Sequence, residues 1–389
     1  MKIFLNENVF DAAVSRINWI FDEFENIVVN CSGGKDSTVV LNLVLQEAER
    51  RGRLPVKVLF VDQEAEWDCV IDYMRQIRAD PRVEMHWLQV SIKMSNATSF
   101  EHPWSTIWEE GKDAEWIRPK EPDSYHENVF GTQVFVELFQ AFREYQFGEF
   151  AKVATIAGVR CEESPGRLQG LTSYATYKGE TWGKKEKTSE KSQSFTFYPL
   201  YDWSYTDIWK AIHEHGWPYC KIYDYQYQHG IPVRQMRVSN LHHDSAITSL
   251  FYMQEIKSDN WNRITTRYPG INTAGHMRKD MKAPTVLPPM FQDWRDYRDH
   301  LLKYLITDPD LKTKYADLFR RTEAKYEEEA QKALLRTHIT ILLVNDFSGV
   351  KMSNFHAQYA RFSKGRGKLN QNIVEATGVR PREGFPARP

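Results

Sequence analysis

Cysteine is scarce in this chain of 389 residues and never clustered: Cys31, Cys69, Cys161 and Cys220 include no CxxC pair. That spacing excludes a disulfide-stapled scaffold, a zinc ribbon and an intrinsic iron–sulfur cluster. No cysteine follows Cys220. Long hydrophobic runs are also missing, since no stretch approaches the roughly 18 apolar residues of a membrane span. The opening MKIFLNENVFDAA has too short an apolar run for a secretion signal, so a soluble, cytoplasmic protein without membrane contact is expected. Nor does one charge dominate. The 51 Lys and Arg against 52 Asp and Glu exclude a globally basic nucleic-acid coat, and a hydrophobic content of 41% excludes a disordered chain. There is no internal repeat at solenoid periods. Two widespread phosphate-binding signatures are absent as well: a Walker A loop needs glycine where Val29 stands and Ser or Thr where Asp36 stands, and the glycines do not follow GxGxxG.

Apolar residues are nonetheless well organised. Phe10, Ala13, Ile17, Ile20, Phe21 and Phe24 recur at three- and four-residue intervals, which predicts an amphipathic helix. Ile27-Val28-Val29 predicts a strand, Ser32 to Ser37 a glycine loop, and Val39 to Leu45 a helix. Further strands over 56–61, 85–90 and 153–158 alternate with helices over 67–77 and 134–147. Such alternation predicts an α/β fold whose parallel sheet is covered by helices on both faces. Residues 95–131, with Trp104, Trp108, Trp116, Pro119 and Pro122, read as a packed insertion. Residues 177–194 are rich in Gly, Ser and Lys and read as a mobile loop, whose Lys184, Lys185 and Lys187 either face phosphate or are solvated. Asp202 or Ser204 caps a helix that buries Ile208, Trp209 and Ile212.

After Pro288 the composition shifts to long charged helices over 293–305 and 310–335, which places a boundary near Ala283 between a domain at 1–283 and a mainly helical region at 284–389. From Arg361 the tail carries seven basic and two acidic residues, either a contact for nucleic acid or an acidic partner, or a solvated tail.

A strand that ends in Ser32-Gly33-Gly34-Lys35-Asp36-Ser37 at the mouth of a helix is suited to phosphate. Glycine lets the backbone approach an anion, the first-turn amides lack intrahelical acceptors, and the helix dipole favours negative charge. Lys35 adds a mobile cation, and Ser32 and Ser37 add hydroxyl donors.

Four segments in order, VVNCSGGKDSTVVLNL, VLFVDQEAEWDCVIDYM, AGVRCEESPGRL and PLYDWSYTDIWKAIHEHGWPYCKIYD, resemble the phosphoadenosine phosphosulfate (PAPS) reductase-like branch of the PP-loop ATP pyrophosphatase superfamily over roughly residues 10 to 280. The resemblance implies an adenine nucleotide α-hydrolase fold, Rossmann-like, with adenosine across the first two strand ends. It implies ATP or a PAPS-like adenylate as ligand, with Mg2+. Ser32, Gly33, Gly34, Lys35, Asp36 and Ser37 would hold phosphate, Asp62 would lie near the nucleotide and Mg2+, and Arg160 and Arg167 would face the anionic end. Lys35, Asp62 and Arg160 would be the catalytic set. Two bland readings stay open: Asp62 as a helix cap, and Arg160 paired with Glu162 or Glu163.

Departures from the branch matter too. Reductases carry a late nucleophilic cysteine, whereas the corresponding stretch here is Met236-Arg237-Val238-Ser239-Asn240-Leu241-His242-His243-Asp244, so reductase chemistry has no thiol to run on. Gln63-Glu64 stands where reductases usually have Thr-Gly, which implies a different distal group on the ligand. ATP cleavage between the α- and β-phosphates with adenylyl transfer is the leading expectation. The long form without reductase cysteines also resembles the co-activator component of the immunoglobulin-binding regulator family, which implies a bacterial or prophage setting and a ParB-like partner. A third resemblance, to proteins of DNA sulfur modification, keeps ATP. His242, His243 and Asp244, or His213, His215 and Cys220, carry metal-ligand atoms without a recognised spacing, and the tyrosines from Tyr223 to Tyr227 read as core.

Overall fold

The computed structural model describes residues 6–96, 104–172, 177–185, 193–238, 241, 247–268, 271, 283–344, 346, 349 and 351–359. The chain forms two compact units, one of residues 1–94 with 104–275 and one of 95–103 with 276–389.

In the first unit, helix α1 (Val9–Glu23) starts at Asn8, whose side chain accepts the Asp11 amide at 2.9 Å, and buries Ala13, Ile17 and Ile20. The chain then enters β1 (Asn26–Asn30), whose Ile27, Val28 and Val29 are buried. β2 (Val56–Val61) and β3 (Val83–Leu88) extend the sheet in parallel on one side of β1. On the other side lies β6 (Val153–Ala157), with a two-stranded sheet of β4 (Ile92–Ser95) and β5 (Trp104–Ile107) intervening in the chain. β7 (Gly183–Lys185) and β8 (Ser194–Phe197) complete the order β3-β2-β1-β6-β8-β7, with only β7 antiparallel. This is the expected α/β class. Near-continuous apolar strands are what a parallel sheet covered on both faces requires.

The helices α2 (Lys35–Arg50), α3 (Asp68–Arg78), α4 (Phe135–Phe147), α5 (Pro165–Thr172) and α6 (Tyr205–His215) connect or flank these strands. Ser204 caps α6 in a reciprocal box with Asp207, which settles the choice between Asp202 and Ser204. Asp202 instead takes Arg16 in a two-pronged pair at 2.8 and 2.7 Å. α7 (Ile222–Gln228), α8 (Ile247–Ile256) and α9 (Ser258–Arg267) follow.

Two expectations need correction. Part of the stretch read as a mobile loop is packed: Tyr177 sits edge-on to Phe195 at 4.5 Å, and Lys184 and Lys185 lie on β7, paired with β8. Lys187 lies outside the described residues. In the second unit, α10 (Trp294–Tyr304) matches the predicted span, but the single helix expected over 310–335 is two, α11 (Pro309–Lys325) and α12 (Glu328–Leu343). Tyr326 and Glu327 are extended between them. The break lets Tyr315 and Phe319 share a core with Leu334, Ile341 and Leu342, burial that one straight helix would forfeit. No described helix is long and apolar enough to cross a membrane. The basic tail from Arg361 lies outside the described residues.

Candidate functional site

Strand order reverses at β1, with β2 on one side and β6 on the other. In open α/β sheets this is where ligands bind. The loop after β1 fills that place. Gly33 has φ +72°, a left-handed turn, and Gly34 is the N-cap of α2 without a side-chain cap. Ser37 donates its hydroxyl to the Gly34 carbonyl at 2.9 Å and accepts the Ser32 amide at 3.4 Å, which folds the loop back on the helix. The first-turn amides of α2 have no intrahelical acceptors, as at any helix start, and the dipole adds positive potential.

Gly158, just past β6, presses on this turn. A Cβ there would lie 2.6 Å from the Asp36 carbonyl carbon and oxygen and 2.7 Å from the Ser37 nitrogen. Gly158→Ala is therefore expected to force the β6 loop off α2 and lower stability by roughly 1–3 kcal/mol in urea unfolding. A loss below about 0.5 kcal/mol would mean that the two segments are not held in contact.

Lys35 differs from the mobile cation expected. It is 5% exposed. Its ammonium donates to the Met236 carbonyl at 3.2 Å, lies 3.2 Å from Asp36 Oδ2, and sits 5.4 Å over the Tyr223 ring. The Lys35 amide donates to Tyr223 Oη at 2.8 Å. Burial and the Asp36 charge push the Tyr223 phenol well above its ordinary range, so it stays a neutral hydroxyl. A residue read from sequence as core thus seals the glycine loop, held by edge-on contact with Trp209 at 5.1 Å. The segment from Tyr223 to Arg237 is itself braced, since Gln226 accepts the Arg237 amide at 3.1 Å and donates to its carbonyl at 2.9 Å.

Arg160 reaches the same turn. It is buried, its Nε donates to Asp36, and its Nη1 lies 3.2 Å from Glu162, so both a loop contact and the bland ion pair are present. Arg167 is not brought in: it is exposed on α5 and paired with Glu163. Ser32 lies beside Ser37, oxygen to oxygen 3.4 Å.

Asp62 ends β2, wholly buried. Its carboxylate accepts from the Glu64 amide, Trp87 Nε1 and Gln89 Nε2, each at 3.0 Å, and from Arg118. A Mg2+ ion bound there would have to displace the Arg118 guanidinium. Glu64, at φ +63°, is held in that strained conformation by its side chain. It accepts from the Trp108 amide at 2.7 Å, the Ile117 amide at 3.3 Å and Arg267 Nε at 2.9 Å. Glu66 is buried beside this cluster, and desolvation with the nearby Asp62 charge pushes its carboxyl up to about 8. Arg118 and Arg267 carried no sequence signal: one lies in the Trp-rich insertion, the other ends α9.

Among the described residues no three His, Cys, Asp or Glu side chains converge as for a metal. His215 is stacked between Phe10 at 4.9 Å and Trp217 at 4.7 Å, and His242, His243 and Asp244 lie outside the described residues.

The phosphoadenosine phosphosulfate reductase domain matches residues 26–229, and the domain of unknown function DUF3440 matches 230–364. The Escherichia coli K12 protein YbdN is 28% identical over 343 residues, covering 85% of this chain and 82% of its own. Sulfate adenylyltransferase subunit 2 of Mycobacterium tuberculosis is 28% identical over 210 residues, which is 51% of this chain and 58% of that one. Among solved structures, PAPS reductase from Candida auris superposes with a TM-score of 0.34 at 17% identity, covering 57% of this chain and 93% of the other. The first family spans just over half of the chain and takes in the glycine loop, the β2 acidic motif and Arg160. The protein belongs to the phosphoadenosine phosphosulfate reductase domain family, within the PP-loop superfamily.

Proposed function

We propose that the chain binds ATP at the β1 loop and cleaves it between the α- and β-phosphates, passing the adenylyl group to an acceptor oxygen. The acceptor oxygen would attack the α-phosphorus as the bond to the bridging oxygen breaks, and pyrophosphate would leave. The observation that carries this reading is the α2 first turn at the sheet's switch point with Lys35 at its start, a donor set suited to the charge that develops on departing pyrophosphate. The relatives named sulfate adenylyltransferase subunit 2, similar over 210 residues, support adenylyl transfer as the reaction class. Arg160, fixed on Asp36 at the edge of the turn, is placed to orient an anionic acceptor. Mg2+ would neutralise phosphate charge. With no described carboxylate cluster to hold it, the nucleotide's own phosphates would be its main ligands.

Titration calorimetry of the wild type and Lys35→Ala with Mg·ATP and with PAPS, followed by a pyrophosphate assay on whichever binds, tests the reading. ATP binding that weakens at least tenfold in Lys35→Ala, with pyrophosphate released by the wild type, is the expected result. Equal affinity in the two proteins would sink it. A second reading, a nucleotide-responsive regulator acting with a ParB-like partner, is favoured by Tyr223 seated on the Lys35 amide, because binding would then have to move a large segment. Nucleotide binding without pyrophosphate release is the outcome that would select it.

A further inference from the structure

Cys69 and Cys220 are 151 residues apart in sequence and adjacent in space. Cys220 opens the turn into α7: its carbonyl accepts the Tyr223 amide at 3.3 Å. Its Sγ lies 3.4 Å from the Cys69 carbonyl oxygen, which places the two cysteines side by side. Cys69 is in the first turn of α3 and is half-buried, whereas Cys220 is wholly buried. The accessibility of Cys69 has a visible route. A cavity of about 360 Å³ is lined by Cys69 with Asp68, Asp72, Lys221, Tyr225 and Lys257, so the thiol opens on a space shared by two carboxylates and two lysines. A partly accessible thiol that opens on a cavity, backed by a buried second cysteine, is the arrangement of an attacking and a resolving cysteine.

We propose that Cys69 and Cys220 are a thiol oxidation site, closed to a disulfide by hydrogen peroxide, that pins the α7 turn to α3. The steps balance. The Cys69 thiolate attacks one peroxide oxygen, the O–O bond breaks, hydroxide leaves and Cys69 becomes a sulfenic acid. The Cys220 sulfur then forms the S–S bond as the sulfenic S–O bond breaks, and the departing hydroxide takes the Cys220 proton as water. Two thiols are oxidised and one peroxide is reduced to two waters. Cys220 lies three residues before Tyr223, whose hydroxyl holds the Lys35 amide, so the bond fixes the segment that seals the glycine loop. This last consequence rests on the nucleotide reading above. The bond itself does not.

The test exposes the full chain, as wild type, Cys69→Ser and Cys161→Ser, to hydrogen peroxide, blocks remaining thiols by alkylation, and maps unreduced peptides by mass spectrometry. A peptide joining 69 to 220 is expected in the wild type and in Cys161→Ser, absent from Cys69→Ser, and lost on reduction with dithiothreitol. Amide exchange across residues 221–228 is expected to slow at least tenfold on oxidation, and Mg·ATP binding to weaken at least tenfold. Oxidation of Cys69 to a sulfinic acid, or its bridging to another chain, without the 69–220 peptide would overturn the proposal. A clean 69–220 bond with no nucleotide binding in either state would instead overturn the nucleotide reading and leave the oxidation site standing.

Discussion

Arg118→Met is expected to lower the free energy of unfolding by about 3–5 kcal/mol, the range for removing one partner of a buried ion pair. The wholly buried Asp62 would keep three neutral donors, the Glu64 amide, Trp87 and Gln89, and lose its only counter-charge among the described contacts. The Glu64 carbonyl, which accepts Arg118 Nη1 at 2.5 Å, would keep only the Glu66 amide, at 2.9 Å, among its described donors. Methionine fills most of the vacated volume, so the loss measures charge rather than a cavity. A second substitution separates the two. Asp62→Asn on the Arg118→Met background removes the orphaned charge while keeping the shape, and should recover at least half of the lost stability in urea unfolding. If the double variant is no better than the single one, the pair is not what holds the β2 end in place.

That pair also shows where reading the sequence stops. The glycine loop was legible because it is local: the Gly33 turn, the Gly34 cap and the first turn of α2 are set by six consecutive residues, and the family's order of motifs placed them on the sheet. α6 was legible for the same reason, with its cap narrowed to Asp202 or Ser204. Asp62 was legible as an acidic residue at a strand end, but not its partner, because Arg118 arrives from 56 residues downstream in a segment with no motif. Arg267 comes from 203 residues away to meet Glu64. The freedom expected of Lys35 was misjudged, since only the return of the chain at Tyr223 and Met236 encloses it. Composition could suggest that Tyr223 is buried but not that its hydroxyl faces the loop. The split at Tyr326 was invisible because nothing in the local pattern from 310 to 335 interrupts a helix, and the gain comes from packing two helices on one core.

Glu66→Gln is expected to change how stability depends on pH. Two carboxylates, Asp62 and Glu64, already face two guanidiniums, Arg118 and Arg267, so an ionised Glu66 would be a third negative charge in a buried cluster balanced for two. Burial first, and the Asp62 charge second, push the Glu66 carboxyl up to about 8 from an ordinary 4.5. Between those values the folded protein keeps a proton that the unfolded chain has released. Unfolding therefore releases a proton, and stability is greatest below the unfolded value and falls as pH rises, by at most about 1.4 kcal/mol per pH unit, until the folded carboxyl ionises near 8. The glutamine amide introduced by Glu66→Gln has the shape of the protonated acid and does not titrate. In urea unfolding the variant should match the wild type within about 1 kcal/mol at pH 5 and exceed it by about 3–4 kcal/mol at pH 8. Parallel stability profiles for the two proteins across that window would mean that Glu66 is already ionised in the folded state, and that the cluster draws a counter-charge from beyond Arg118 and Arg267.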